Sequence, residues 1–201
     1  MIFLLSHESY AQLTEDLHQK TIYEIANHTS SIQSSGIPVG HRPVAIINYG
    51  SKIYVTNSND NTVSVIDATT NTKIKDIPVR DEPEDIDINP KTNTAYVTNL
   101  ANGTVSAIDL KNNVDVKNII VGNGPKNIVY DYFLNKIYVT NLANGTVSVI
   151  DTKNNSKIKD IKVGTSPKNV VIARDTMYMA NGNNKVIAIN GTSYIHIKNI
   201  T

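Results

Sequence analysis

Charged and amide side chains gather around four prolines, Pro43, Pro83, Pro125 and Pro167, which are spaced 40, 42 and 42 residues apart. Mixed charges of this kind suit an anion, a sugar or a peptide, and carboxylate and amide oxygens suit a hard cation. We therefore expect a ligand-binding funnel wherever the fold brings the four segments together. The residues concerned are His41, Arg42, Arg80, Asp81, Glu82, Glu84, Asp85, Lys126, Asn127, Lys168 and Asn169.

A structural interpretation of the same residues competes with the functional one. Asp85, Asn127 and Asn169 occupy equivalent positions after their prolines, and recurrence at one position favours hydrogen bonding between neighbouring turns. His41 is the only histidine near these segments, and alone it makes neither a metal site nor a catalytic triad. The sequence thus predicts no catalytic residue, no metal ligand set and no cofactor.

These segments belong to an internal repeat. The tetrapeptide Tyr-Val-Thr-Asn begins at Tyr54, returns at Tyr96 and Tyr138, and recurs in altered form as Tyr-Met-Ala-Asn at Tyr178. The spacings are 42, 42 and 40 residues. A period of about 40 residues indicates one supersecondary unit stacked on copies of itself.

Each repeat unit reads as four short strands, A to D. In residues 125–163, a short apolar run at 126–130 follows the proline, and a stretch at 136–140 is rich in β-branched and aromatic residues. Polar and apolar residues then alternate at 146–150 and again at 157–163. The Asn144-Gly145 pair between the second and third stretches predicts a type I′ hairpin turn. No stretch is long enough for a crossover helix, which excludes a parallel sheet. Strand A is the least polar and should be innermost, and strand D carries lysines that suit an outer edge: Lys157, Lys159 and Lys162.

The Tyr-Val-Thr-Asn strand, the Thr-Val-Ser-Val-Ile-Asp stretch at 146–151 and the Val-Gly-x-x-Pro entry at 163–167 resemble the YVTN family of β-propeller repeats. The resemblance covers residues from about 39 to 201. That family occurs in archaeal surface-layer proteins and in bacterial periplasmic or secreted propellers. The resemblance implies an exported β-propeller but no particular activity.

The predicted fold is therefore all-β, a β-propeller of four antiparallel four-stranded blades with a partial N-terminal blade. The blades are expected at 40–79, 80–121, 122–163 and 164–201, and the partial blade at 21–39. Propellers usually have ~4–8 blades. The chain is thus a tightly closed ring, an arc completed by a partner copy, or a part of a longer ancestor. We expect an incomplete or compact ring that self-associates through its open blade edges.

The first twenty residues differ from the repeats. Met1–Leu5 is apolar and is followed by Ser9–Gln12, which resembles the end of a secretory signal without its basic region. The alternative is a short helix with Tyr10, Leu13 and Leu17 on one face. The family resemblance favours export, so an extracellular or cell-envelope location is expected.

Composition excludes several classes of partner. The net charge is +1 and no basic stripe is interleaved with aromatic residues, which argues against nucleic acid. The absence of cysteine excludes disulfides and thiolate chemistry. No apolar run approaches the ~20 residues needed to span a bilayer. Asn-x-Ser/Thr sequons, which either carry glycans or merely form hairpin turns, occur at Asn27, Asn102, Asn144, Asn154, Asn190 and Asn199.

Three functional hypotheses follow. The leading one is a non-enzymatic, exported β-propeller that mediates binding or assembly at the cell surface, with protein or carbohydrate as the partner. The alternative is a hydrolase or lyase similar to propeller lactonases, with a metal-assisted site at the funnel around Glu84 and Asp85. The third is a decayed fragment without independent function.

Overall fold

The computed structural model describes residues 36–182 and 184–200, apart from the side chains of residues 199 and 200. These residues form strands and turns, and none of their segments is a helix that could cross a lipid bilayer. The strands are β1 (Pro43–Tyr49), β2 (Lys52–Asn57), β3 (Thr62–Asp67), β4 (Thr72–Pro78), β5 (Pro83–Asn89), β6 (Thr94–Asn99), β7 (Thr104–Asp109), β8 (Val114–Ile120), β9 (Pro125–Asp131), β10 (Lys136–Asn141), β11 (Thr146–Asp151), β12 (Ser156–Lys162), β13 (Val170–Ala173), β14 (Thr176–Asn181), β15 (Lys185–Asn190) and β16 (His196–Ile200).

The chain divides into two compact units, residues 1–37 and 38–201, and all of these strands belong to the second. The signal-like segment predicted at 1–20 lies outside the described residues. So does most of the partial blade predicted at 21–39, whose described end, residues 36–39, forms no strand.

Four antiparallel sheets contain four consecutive strands each: sheet 1 is β1–β4, sheet 2 is β5–β8, sheet 3 is β9–β12 and sheet 4 is β13–β16. This confirms the four predicted four-stranded sheets. Successive sheets lie side by side along their first strands, with β1 beside β5, β5 beside β9 and β9 beside β13. Strand A is therefore the inner strand of each sheet, and strand D is its outer edge.

Apolar side chains between neighbouring sheets form the core. We call the face that a sheet turns towards the next sheet in sequence its trailing face, and the opposite face its leading face. The trailing face of sheet 1 presents Tyr54 and Val63 to Ile86 and Val97 on the leading face of sheet 2. The next two interfaces repeat this arrangement, so burial of apolar surface holds each sheet to its neighbour.

The predicted type I′ turn at Asn144-Gly145 is wrong. Asn141 pairs with Thr146, so residues 142–145 form a four-residue loop, in which Gly145 has φ of +63° and donates to Asn141 O at 3.1 Å. Asn144 does not take the left-handed conformation that a type I′ turn requires. Its Oδ1 instead accepts a hydrogen bond from Asn123 N, which ties the loop to the segment leading into strand A.

Candidate functional site

The funnel lies at one end of the sheets, where two kinds of loop meet. In each sheet the segment before strand A is bonded to the loop between strands B and C. Ser58 N donates to Arg42 O at 2.9 Å in sheet 1, and Asp81 N donates to Asn102 Oδ1 at 2.6 Å in sheet 2. These bonds fix the backbone from which the predicted site residues project.

Glu84 lies at the centre of the funnel and joins three sheets. Its side chain, on β5, is 5% exposed, and its Oε2 accepts from Lys126 Nζ at 2.7 Å on β9. The Arg42 guanidinium, which precedes β1, is 3.9 Å from Glu84 Oε1. A buried carboxylate requires such pairing. Because Arg42 and Lys126 remain about half exposed, the cluster presents two cations to solvent around one carboxylate.

Asp85 is a connector between sheets 2 and 3. Its Oδ2 accepts from Asn127 Nδ2 at 2.6 Å and from Ile128 N at 3.0 Å, while its Oδ1 accepts from Ile86 N. Burial raises the pKa of Asp85 above the ordinary value, although these hydrogen bonds oppose the rise. Its lone pairs are therefore occupied by groups of the protein itself.

The same connector recurs one sheet later. Asn127 Oδ1 accepts from Val170 N at 2.8 Å and so links sheet 3 to sheet 4. Asp87, two positions after Asp85, also bridges sheets by accepting from Tyr130 N at 2.7 Å. The structural interpretation of the recurring position thus accounts for Asp85 and Asn127, and Asn169 is the exposed equivalent in sheet 4.

Other predicted residues lie at the rim and have local partners. The His41 side chain is 85% exposed and contacts Asp60 at 2.9 Å, and hydrogen bonding from His41 lowers the pKa of Asp60. Glu82 N donates to Asn61 Oδ1 at 3.0 Å. Asp81 has its Oδ1 bonded by Asn61 Nδ2 and its Oδ2 bonded by Asn102 Nδ2. These residues shape the loops around the cluster.

Two of the predicted site residues, Arg80 and Lys168, have partners other than Glu84. Arg80 faces Asn118 and Asp115 on the outer strand β8, where burial raises the pKa of Asp115 and the Arg80 charge opposes that rise. Lys168 is exposed, and its carbonyl accepts from Thr140 Oγ1 at 2.8 Å. The structure thus groups Arg42, Glu84 and Lys126, whereas the side chain of Arg80, in the loop between β4 and β5, faces the outer strand β8.

An exposed aromatic pair at the opposite end of the sheets was not predicted from the sequence. Tyr132 is 56% exposed and Phe133 is 76% exposed in the turn between β9 and β10. Lys91 Nζ sits 4.0 Å from the Tyr132 ring centroid. A shallow cavity of about 380 Å³ lies beside them and is lined by Phe133, Leu134, Arg174 and Asp175. The sequence feature that could have indicated this pair is the run of large side chains at 132–134, in a turn that is more polar in the other repeats.

The outer faces of the first and last sheets expose apolar side chains. On the leading face of sheet 1, Ile46 is 70% exposed, whereas the equivalent Ile86 and Ile128 are 5% and 4% exposed. On the trailing face of sheet 4, Val171 is 59% exposed and Val186 is 37% exposed. Apolar side chains that are buried in the equivalent positions of other sheets but exposed here indicate candidate interaction surfaces.

Among residues 36–182 and 184–200, no group of three or more His, Asp or Glu side chains is arranged to hold a metal ion. The carboxylates nearest to the funnel centre are Glu84 and Asp85. Glu84 is paired with a cation and Asp85 is bonded to backbone and amide donors.

Many solved structures are similar to this chain, among them the following two. Hydrazine synthase from Kuenenia stuttgartiensis superposes with a TM-score of 0.74 and 24% identity over 82% of this chain and 51% of that one. The dihydro-heme d1 dehydrogenase NirN, in complex with DHE, superposes with a TM-score of 0.65 and 12% identity over 82% of this chain and 38% of that one. The fold is a β-propeller. The chain spans about half the length of the first structure and less of the second.

No protein-family model matches the chain, and no curated protein matches it. The resemblance to YVTN repeats therefore rests on the residues quoted above. At 24% and 12% identity, the likeness to the two solved structures extends to the fold alone.

Proposed function

We propose that this chain is a non-enzymatic, exported β-propeller that mediates binding and assembly at the cell surface. The observation that supports the proposal is that the polar side chains of the candidate site have a structural role. The carboxylates and amides that resemble a reaction centre hold neighbouring sheets together, while apolar surface is exposed on the first and last sheets. Such a molecule offers surfaces for partners.

The funnel supplies a binding site for an acidic group. Arg42 and Lys126 outnumber the single carboxylate of Glu84, and both cationic side chains reach solvent. Lys168 adds an exposed amine at the position equivalent to Lys126 in the next repeat. The partner on this side is therefore an acidic carbohydrate or an acidic segment of a protein.

A binding titration tests the funnel. We expect Lys126→Ala to weaken binding of an acidic polysaccharide severalfold and to reduce its salt dependence, because one of two solvent-facing cations is lost. Lys153→Ala, which removes an exposed lysine from a turn at the other end of sheet 3, should leave binding unchanged. Equal effects of both variants would contradict a funnel site.

Protease treatment of intact cells tests export. An exported protein is cleaved from outside without lysis, whereas recovery of uncleaved chain in the cytosolic fraction would overturn the proposal. Mass spectrometry of the same material examines the sequons. Asn102, Asn144 and Asn154 lie in exposed turns where a glycan can be accommodated.

The enzymatic alternative predicts a bound divalent cation near Glu84 and Asp85. We expect chelation to leave the unfolding midpoint unchanged and elemental analysis to find no stoichiometric metal, because the oxygens of both residues already bond protein groups. A stoichiometric cation that is lost in Asp85→Asn would favour the hydrolase or lyase instead.

A further inference from the structure

Three polar contacts recur at the interfaces between successive sheets. A carboxylate or amide near the start of strand A accepts a backbone N–H of the next sheet, as Asp85 does from Ile128 N and Asn127 does from Val170 N. These contacts link residues 43 positions apart, so they repeat with the sheets.

The second contact is made by the tyrosine of strand B. Tyr54 OH reaches Asn113 Oδ1 at 3.5 Å, and Tyr96 OH donates to Asn155 Oδ1 at 2.5 Å. Both acceptors lie in the turn between strands C and D of the next sheet, and both asparagines have a left-handed backbone.

The third contact is made by a lysine of strand D. Lys75 Nζ donates to Asn113 O at 3.2 Å, and Lys117 Nζ donates to Asn154 O at 3.0 Å. Sheet 2 therefore presents a carboxylate, a tyrosine and a lysine to the following sheet. Sheet 1 has Ala45 at the first position. In sheet 3 the tyrosine and lysine contact other groups of the next sheet, since Tyr138 OH donates to Gly191 O at 3.2 Å and Lys159 Nζ lies 4.9 Å from the Tyr194 ring centroid.

Sheet 4 keeps all three groups, although it is the last sheet described. Asn169 and Lys198 are exposed at the first and third positions, and the half-buried Tyr178 stands at the second. The apolar part of the trailing face is also kept. Val186 is 37% exposed, whereas the equivalent Val63, Val105 and Val147 are fully buried.

Sheet 1 keeps the complementary groups on its leading face. Ile46 occupies the position of Ile128 and Val170, whose backbone N–H groups are bonded by the preceding sheet. Asn71 occupies the position of Asn113 and has the same left-handed backbone, with φ of 55°. The exposed Ile46 side chain supplies the apolar contact.

We propose that the trailing face of sheet 4 packs against the leading face of sheet 1 of a second copy of this chain. In this pairing Asn169 faces Ile46 N, Tyr178 faces Asn71, and Val171 and Val186 cover Ile46. Two copies joined twice in this way close a ring of eight sheets, within the ~4–8 blades of known propellers, with two-fold symmetry. The inference rests on the proposed assembly role and names its partner.

Two positions differ from the internal interfaces. Ala180 replaces the threonine that in sheets 1 and 3 bonds a carbonyl of the next sheet, Thr56 to Glu84 O and Thr140 to Lys168 O. Val44 stands where the other sheets carry Glu84, Lys126 or Lys168. In the proposed junction the Val44 carbonyl therefore lacks the hydroxyl donor that Thr56 and Thr140 supply, and the Val44 side chain brings no charge to the junction.

Light scattering coupled to gel filtration measures the assembly. The full chain should have twice the mass of the 22.1 kDa chain. Val171→Glu should reduce it to the mass of one chain, because it places a charge in the apolar interface. Ile158→Glu is the matched control: Ile158 is 48% exposed on the outer strand β12, so this change should leave the double mass intact.

Cysteine pairing tests the geometry, since the chain has no cysteine of its own. Ile46→Cys and Asn169→Cys chains are prepared separately, mixed and treated with a short bismaleimide cross-linker. Only the mixture should yield a cross-linked pair, because the two faces are different. A mixture of Asn169→Cys and Ile158→Cys should give none.

Three results would overturn the inference. One is a single-chain mass at every concentration, and another is cross-linking of Ile46→Cys chains to each other. The third is a single-chain mass together with an Ile46→Cys thiol that maleimide does not reach, which would show that residues of the same chain cover sheet 1. Each leaves the surface location and the funnel untouched, because protease treatment of intact cells and the polysaccharide titration test those separately.

Discussion

Asp85 and Asn127 show how a side chain at a recurring position serves the fold. Each holds the first strand of the following sheet through a backbone N–H. A carboxylate does this at a cost that an amide avoids, because burial disfavours its charged form. The difference makes Asp85 sensitive to pH, whereas Asn127 is not.

Asp85→Asn should change how stability depends on pH. Burial raises the folded-state pKa of Asp85 above 3.8, so its contribution to stability is full below that value and is lost as pH rises through the folded pKa. The variant, which copies Asn127, avoids this loss. We therefore expect the free energy of unfolding of Asp85→Asn, relative to that of the wild type, to increase as pH rises from 3.8 towards neutrality. The increase should be about 1.4 kcal/mol per unit of pKa shift. Urea titrations across this range measure the gain.

Asp67→Asn should change the pH dependence of stability in the opposite direction. Hydrogen bonds from Thr69 N and Thr70 N lower the pKa of this exposed carboxylate, so its contribution is present above 3.8 and is lost as pH falls. The free energy of unfolding of Asp67→Asn, relative to that of the wild type, should therefore decrease as pH rises. Parallel pH profiles for Asp85→Asn and wild type would contradict the buried-connector role.

A buried asparagine at the end of strand B should also matter. Asn141 Nδ2 donates to Thr146 Oγ1 and Ser148 Oγ, and its Oδ1 accepts from Gly122 N. Asn141→Ala removes all three hydrogen bonds, although Ser148 Oγ keeps its bond to Asp160, and should lower the free energy of unfolding by about 1–3 kcal/mol. Asn112→Ala removes an exposed asparagine that bonds Asp109, and it should have the smaller effect in urea titrations.

At the scale of the strand and its turn, alternation and β-branched composition were sufficient to predict the strands and their order. The turn geometry was not predictable, because it depends on neighbouring loops. The Asn-Gly pair favoured a two-residue turn in isolation, yet Asn144 is held by Asn123 N and the loop has four residues. Left-handed residues end the other turns as well, for example Asn61 and Asn155.

Substitutions at two glycines allow the cost of backbone strain to be distinguished from the cost of a steric clash. Gly50 and Gly145 both have positive φ, but a Cβ at Gly50 meets nothing within 4 Å, whereas one at Gly145 meets Gly164 O at 2.6 Å. Gly50→Ala should therefore lower the free energy of unfolding by about 1–2 kcal/mol, the cost of a left-handed alanine. Gly145→Ala should cost clearly more. Equal losses in urea titrations would show that the loop after β10 yields without penalty.

At the scale of the whole molecule, the repeat predicted the four sheets of the described residues and which strand is innermost in each. It did not predict which polar residues would meet. Arg42, Glu84 and Lys126 come from three successive repeats, and Arg80 belongs to the same kind of loop yet faces β8. The aromatic pair Tyr132-Phe133 was missed because it breaks the repeat.

Association through the end sheets should couple stability to concentration. A partner that binds only the folded chain stabilises it by mass action, so the unfolding temperature of the wild type should rise with protein concentration. Val171→Glu should show a lower value that does not change with concentration. A concentration-independent temperature in both proteins would contradict self-association.

The internal junctions share their apolar packing, and each of the three polar contacts occurs at two of the three junctions, so the trailing faces resemble one another. A gene that gains or loses one 42-residue repeat in frame would therefore still encode neighbouring sheets with similar facing surfaces. Chains of this design can change in length over evolution without inventing a new junction, and ring size becomes a matter of how many modules are supplied.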